Sequence, residues 1–97
     1  MNEDRTIGIL QLALTFPFGR RMAAHLEVTA TSDFPEWRRY SFHYMDESNS
    51  CIFRYDNTPH HSGLPFFPDH KHVDDGVQGH PRPSIHEILR ELAQPVP

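Results

Sequence analysis

The chain has 97 residues, thirteen acidic and nine basic side chains, a formal charge of −4 and 37% hydrophobic residues, of which the aromatic share is 11% of the chain. That is one domain with a lean core, because single domains usually run to roughly 100 to 200 residues and a small one hides less of its surface. The acidic balance argues against nucleic-acid binding by excess Lys and Arg, and no stretch approaches the ~18 apolar residues of a membrane-spanning helix.

The first expected element covers residues 5–16. It carries Ile7, Ile9, Gln11, Ala13 and Thr15 on one side and Gly8, Leu10, Leu12, Leu14 and Phe16 on the other, and it ends at Pro17-Phe18-Gly19. A strand fits this run better than a helix. Residues 20–31 alternate Met22, Ala24, Leu26, Val28 and Ala30 against polar positions, a half-buried strand that completes a hairpin. After the linker Asp33-Phe34-Pro35-Glu36, residues 37–45 alternate Tyr40, Phe42 and Tyr44 with Arg39, Ser41, His43 and Met45. The polar turn Asp46-Glu47-Ser48-Asn49-Ser50 leads into a fourth strand over 51–56.

From 58 to 82 no periodicity survives, and Pro59, Gly63, Pro65, Pro68, Gly76, Gly79 and Pro81 interrupt any long element. A loop of that length is uncommon inside a compact domain and is usually functional or disordered. Residues 83–94 read as a helix opened by Pro83-Ser84, with Ile85, Ile88, Leu89 and Leu92 on one stripe and a stop at Pro95. The expectation is therefore a single α+β domain over 1–97. A four-stranded antiparallel meander of two hairpins (sheet 5–57) is followed by a His/Pro-rich loop (58–82), and the C-terminal helix packs on the sheet.

Histidine is the unusual residue. There are eight, and six of them (His60, His61, His70, His72, His80 and His86) follow Pro59. The densest chemistry lies in Phe53-Arg54-Tyr55-Asp56-Asn57-Thr58-Pro59-His60-His61 and Leu64-Pro65-Phe66-Phe67-Pro68-Asp69-His70-Lys71-His72. These are the parts of a phosphodiester-cleaving site that needs no metal. One histidine removes a proton from a ribose hydroxyl, a second protonates the leaving oxygen, and cationic side chains offset charge on the phosphate. The candidate catalytic residues are His60, His61, His70, His72 and Asp56, with Arg54, Lys71 and Tyr55 for substrate. No cofactor is expected on that reading. The alternative is zinc held by His60, His61, His70 and His72, although no CxxC or HExxH spacing is present. The plainer reading of His60-His61 and Asp56-Asn57 is a polar turn at a strand end.

The same residues carry a resemblance. Tyr-Ser-Phe-His-Tyr-Met-Asp from Tyr40, the Tyr55-Asp56-Asn57 and His70-Lys71-His72 triplets, and the closing Pro-x-Ile-x-x-Ile-Leu-x-Glu-Leu helix resemble the TumE family of toxins from type II toxin–antitoxin systems. The likeness runs from Tyr40 to Leu92, and Asp69 departs from it where relatives are expected to carry a further histidine. It implies a bacterial toxin, a cognate helix-turn-helix antitoxin as partner, and growth arrest when the toxin is free. Three classes of function follow: a ribonuclease acting on RNA, a binding component whose sheet engages the antitoxin or a cellular target, and a histidine metal site. The lone Cys51 makes no internal disulfide and, with the acidic start Met1-Asn2-Glu3-Asp4, points to the cytoplasm. A lean core also leaves room for a second copy of the chain.

Overall fold

The computed structural model describes residues 6–30, 35–74 and 76–94. Strands β1 (Thr6–Thr15) and β2 (Arg21–Ala30) form the first hairpin across a 3-10 turn at Pro17–Gly19. Gly19 takes a left-handed φ of 77°, and a Cβ there would crowd the Glu47 side chain, so the turn selects glycine twice over. Strand β3 (Pro35–Met45) begins two residues before the expected Trp37, and β4 (Cys51–Asp56) returns beside it. The linker expected at 33–36 therefore contributes Pro35 and Glu36 to β3. Its first half, like Arg5, Thr31 and the stop at Pro95, lies outside the described residues.

The sheet does not stop at four strands. Strands β5 (His70–Val73) and β6 (Gly76–Gly79) extend it to six, all antiparallel, in the order β1 to β6. The four-stranded meander is corrected accordingly, and the irregular segment shrinks from 58–82 to the connection between β4 and β5 plus the short lead into the helix. Each added strand has four residues, His-Lys-His-Val and Gly-Val-Gln-Gly, too short and too poor in apolar side chains to show alternation. Gly79 packs so closely on the Pro65 carbonyl that a Cβ would overlap it, which lets the connecting loop lie against the sheet.

Alternation gives the sheet two unlike faces. The inner face holds the buried core of Met22, Tyr40, Phe42, Tyr44, Phe53 and Tyr55, closed by Ile88 of helix α1 (Ile85–Leu92). A bulge between Glu27 and Val28 pairs Arg39 and then Trp37 with β2, skipping Arg38. Trp37 and Tyr40, three residues apart, thus share the inner face with their rings 5.5 Å apart, where a regular strand would oppose them.

The helix starts as expected. Ser84 Oγ accepts from the Glu87 N–H at 3.0 Å and Glu87 Oε1 from the Ser84 N–H at 2.9 Å, a reciprocal cap. Of the expected stripe, Ile88 and Leu92 pack on the sheet while Ile85 and Leu89 stay exposed. Polar bonds complete the docking: Glu91 accepts from the Tyr55 hydroxyl and, at 2.8 Å, from Lys71 Nζ. At the other end the edge strand β1 is apolar and open, with Ile9 64% and Leu10 55% exposed.

Candidate metal centre on the outer face

The outer face carries the chemistry because of how β4 and β5 pair. Their register sets Arg54 opposite His72 and Asp56 opposite His70. Directly paired residues have Cβ atoms about 4.5–5.5 Å apart, so two histidines from one strand meet an arginine and an aspartate from the next. The intervening loop returns over this patch and adds His61, whose ring centroid lies 5.0 Å from that of His70 and 5.9 Å from that of His72. His70 and His72 are themselves 4.9 Å apart.

Asp56 organises the patch. It is 1% exposed. Its Oδ1 accepts the Thr58 N–H at 2.9 Å and stands 2.9 Å from His70 Nε2. Its Oδ2 lies 2.9 Å from Arg54 Nε and 3.8 Å from His72 Nε2. The Arg54 contact is close but misaligned, so Nε has no hydrogen-bond partner among the described residues and the pair is an ion pair only. The loop is anchored to β3 as well. Tyr40 donates through its hydroxyl to Asp69 Oδ1 at 2.9 Å, and Asn57 accepts the Tyr40 N–H at 3.0 Å. Asp69 thus holds the loop in place. Burial first, then Asp69, pushes the Tyr40 phenol far above its usual range and keeps it a donor.

His70 is 3% exposed, and its Nδ1–H donates to the Pro68 carbonyl at 2.9 Å. The Pro68 carbonyl can only accept, so Nδ1 carries the hydrogen of that bond, and Nε2 is the nitrogen that faces the Asp56 carboxylate. One ring nitrogen each from His61, His70 and His72 lies within 4.8 Å of the others. Tetrahedral zinc with bonds of about 2.0–2.1 Å sets its nitrogens about 3.3 Å apart, so closure asks for an approach of up to about 1.5 Å. His72 is held below the usual imidazole range by burial, opposed by Asp56 and aided by its cationic and imidazole neighbours. It therefore offers a free lone pair near neutral pH. The expectation that no cofactor is involved is overturned here, since this cluster is a ready set of metal ligands.

The sequence-predicted residues divide in two. Arg54, Asp56, His61, His70 and His72 meet. His60 is exposed beside His61 at 6.3 Å between rings, outside the ligand cluster. Tyr55 and Lys71 lie on the inner face against the helix, with Lys71 Nζ 4.9 Å from the centre of the Tyr55 ring. Sequence reasoning missed His43 on the outer face of β3. Paired with Arg54 and lining the same depression as His61 and His72, it is also held below the usual imidazole range, chiefly by burial. Its signal was present in the alternation of β3, where His43 falls on the side away from the aromatic core.

No helix of the described residues is long and apolar enough to cross a membrane. A family model described as Toxin TumE matches residues 2–96. No curated protein and no solved structure matches the chain.

Proposed function

The chain belongs to the TumE toxin family, and from that premise we propose that it is a toxin whose working centre is a divalent metal ion of the zinc class held by His61, His70 and His72. The observation that carries this reading is the approach of three ring nitrogens to within 4.8 Å of one another. The Pro68 carbonyl accepts from His70 Nδ1 and orients the ring, the role a backbone carbonyl takes in many histidine metal sites, and Asp56 supplies a carboxylate beside Nε2, the nitrogen left for the ion. Structural zinc sites are closed by four protein ligands, whereas catalytic sites keep a position open. Here two of the three imidazoles, His61 and His72, border a depression of about 400 Å³ that also holds His43 and Arg54, which supports an open position and a site for an anion.

The chemistry that fits is metal-assisted hydrolysis of a phosphodiester in RNA. An ion held by His61, His70 and His72 would supply a water of lowered pKa and polarise the phosphate. Arg54, partly exposed and tethered by Asp56, offsets charge that grows on the phosphoryl oxygens. The protein acts in the cytoplasm and is held inactive by a cognate helix-turn-helix antitoxin.

The test is metal analysis of tag-free protein after equilibrium dialysis against zinc, alongside growth of cells expressing each variant without antitoxin. The parent is expected to bind one ion per chain and to arrest growth. His61→Ala and His72→Ala, the less buried ligands, are expected to lose both. A folded parent that takes up no zinc, or variants that keep full toxicity, would end this reading. A second reading is favoured by edge strand β1: Ile9 and Leu10 stand exposed, as in a component that works by binding its partner along the sheet. It predicts toxicity unchanged in the histidine variants.

A further inference from the structure

The depression beside the histidines does not end at Arg54. A second one, of about 450 Å³, runs on across β3, β2 and β1 and shares His43 and Arg54 with the first. Its floor is low because Ala13 and Ala23 form a register pair on the outer face, with no long side chain between β1 and β3. Its walls are polar: Gln11, His25, Ser41 and His43 line it, with Gln11 Nε2 3.2 Å from His25 Nδ1 and His25 Nε2 3.1 Å from Glu27 Oε2. From β5 to β1 the track crosses four strand spacings, about 19 Å at ~4.8 Å each.

We infer that this trough is the seat of an extended single-stranded RNA lying across the strands, with one phosphate at the Arg54 junction and further nucleotides over His43, Ser41, His25 and Gln11. The inference deepens the proposed function and rests on that reading for the fate of the bound strand. Two features favour a nucleic-acid strand. Asp74 is the one acidic residue among the described residues lining either depression, in a chain that carries thirteen. The trough's length of about 19 Å is several times the ~3.4 Å rise of one stacked nucleotide, so it takes a short strand, where a mononucleotide occupies one end.

The charge distribution sets the mode of binding. Burial holds His43 below the usual imidazole range, so it serves as a neutral hydrogen-bonding group, and fixed positive charge sits only at the Arg54 end. Binding is then anchored at one or two phosphates. The salt slope of log K is expected near −0.7 to −1.4, far shallower than for a basic protein with many phosphate contacts.

The experiment is fluorescence anisotropy of a 2′-O-methyl-RNA dodecamer, with a nucleoside 5′-monophosphate as competitor, on zinc-loaded full chain and on the same chain in EDTA. The dodecamer is expected to bind at least ten-fold more tightly than the mononucleotide. Ala23→Glu, which sets a carboxylate on the floor, is expected to weaken the dodecamer about ten-fold with zinc content unchanged. Gln11→Glu, isosteric and on exposed β1, gives a smaller loss in the same direction and covers a folding failure at position 23. Equal affinity for dodecamer and mononucleotide would overturn the trough, as would RNA binding indifferent to both variants. So would loss of antitoxin binding, in place of RNA binding, in Ala23→Glu, which assigns the surface to a protein. Zinc bound without RNA binding refutes the trough and leaves the metal centre standing. RNA binding that responds to Ala23→Glu in a chain that takes no zinc supports the trough and refutes the metal centre.

Discussion

Replacing Asp56 by alanine removes the carboxylate on which Thr58, His70 and Arg54 converge at 2.9 Å each. The three losses are unequal. Arg54 reaches solvent, so its share is at most about 1 kcal/mol. His70 stays 3% exposed with its Nε2 stripped of a partner, and removing one member of a buried pair costs about 3–5 kcal/mol. A destabilisation near 3 kcal/mol is expected, since the Thr58 N–H lies at the loop mouth and water can replace its acceptor. For a domain of this size each kcal/mol moves Tm by about 4–8 °C, so the melt should drop by roughly 12–24 °C.

Asp56→Asn separates the fold from the metal. Its carbonyl, in the place of Oδ1, still accepts from Thr58 and faces His70 Nε2, while the amide takes the place of Oδ2 beside Arg54, so the loss is smaller than for alanine, about 1–2 kcal/mol. A neutral amide supports a metal-bound imidazole less well, and zinc affinity should fall about 10- to 100-fold. The assay is urea unfolding followed by Trp37 fluorescence in EDTA, with zinc titration of the folded variants in parallel; a change in midpoint at constant slope reports stability alone. An alanine variant within about 1 kcal/mol of the parent would refute the claim that Asp56 holds His70 in place.

Two further outcomes are expected. Because His43 is held below the usual imidazole range, the native state binds fewer protons than the unfolded chain between its lowered pKa and about 6.5; its share of stability is present above that window and lost as pH falls through it. In EDTA the urea midpoint should therefore fall from about pH 7.5 to about pH 5.5, more gently in His43→Gln, and an equal fall would exclude His43 as a source. Lys71→Met should lower stability by about 1–2 kcal/mol, through its bond to Glu91, while leaving zinc stoichiometry intact; loss of zinc would move Lys71 to the outer face.

The long hairpin was legible because Met22, Ala24, Leu26 and Val28 alternate over a run long enough to establish period and face. Strands β5 and β6 were not, because a four-residue strand written in His, Lys, Gly and Gln carries no apolar rhythm. What makes them strands is the pairing of residues 70–73 with 53–56, a non-local contact that spacing does not encode. Part of the site follows from local rules all the same. His70 and His72 are two apart and share a face of any extended segment, and the same rule sends Lys71 and Tyr55 to the other face despite their place in the densest chemical stretch. The membership of His61 rests on the fold of the loop, whose course depends on bonds such as Tyr40 to Asp69 between residues 29 apart. Trp37 sits in the core with the Arg82 guanidinium 5.4 Å from its ring centre, because a bulge that sequence periodicity cannot register turns it inward.

The metal centre and the lean core bear on one another. The loop that supplies His61 has no regular structure of its own, and an ion bridging it to β5 closes that loop onto the sheet. A ligand that binds only the folded state stabilises it by about 2.7 kcal/mol at a hundred times its Kd, a large fraction of what a small domain possesses. Variants of the buried His70 would therefore lose toxicity through unfolding as readily as through chemistry, and growth alone does not distinguish the two. Ala23 and Gln11 stand on exposed strands remote from the three ligands, beside residues whose packing does not depend on them. A carboxylate placed there acts on whatever occupies the trough while leaving loop and ion alone. Loss of RNA binding in those variants at unchanged zinc content thus reports on the outer face as a surface, independent of how the ion holds the fold together.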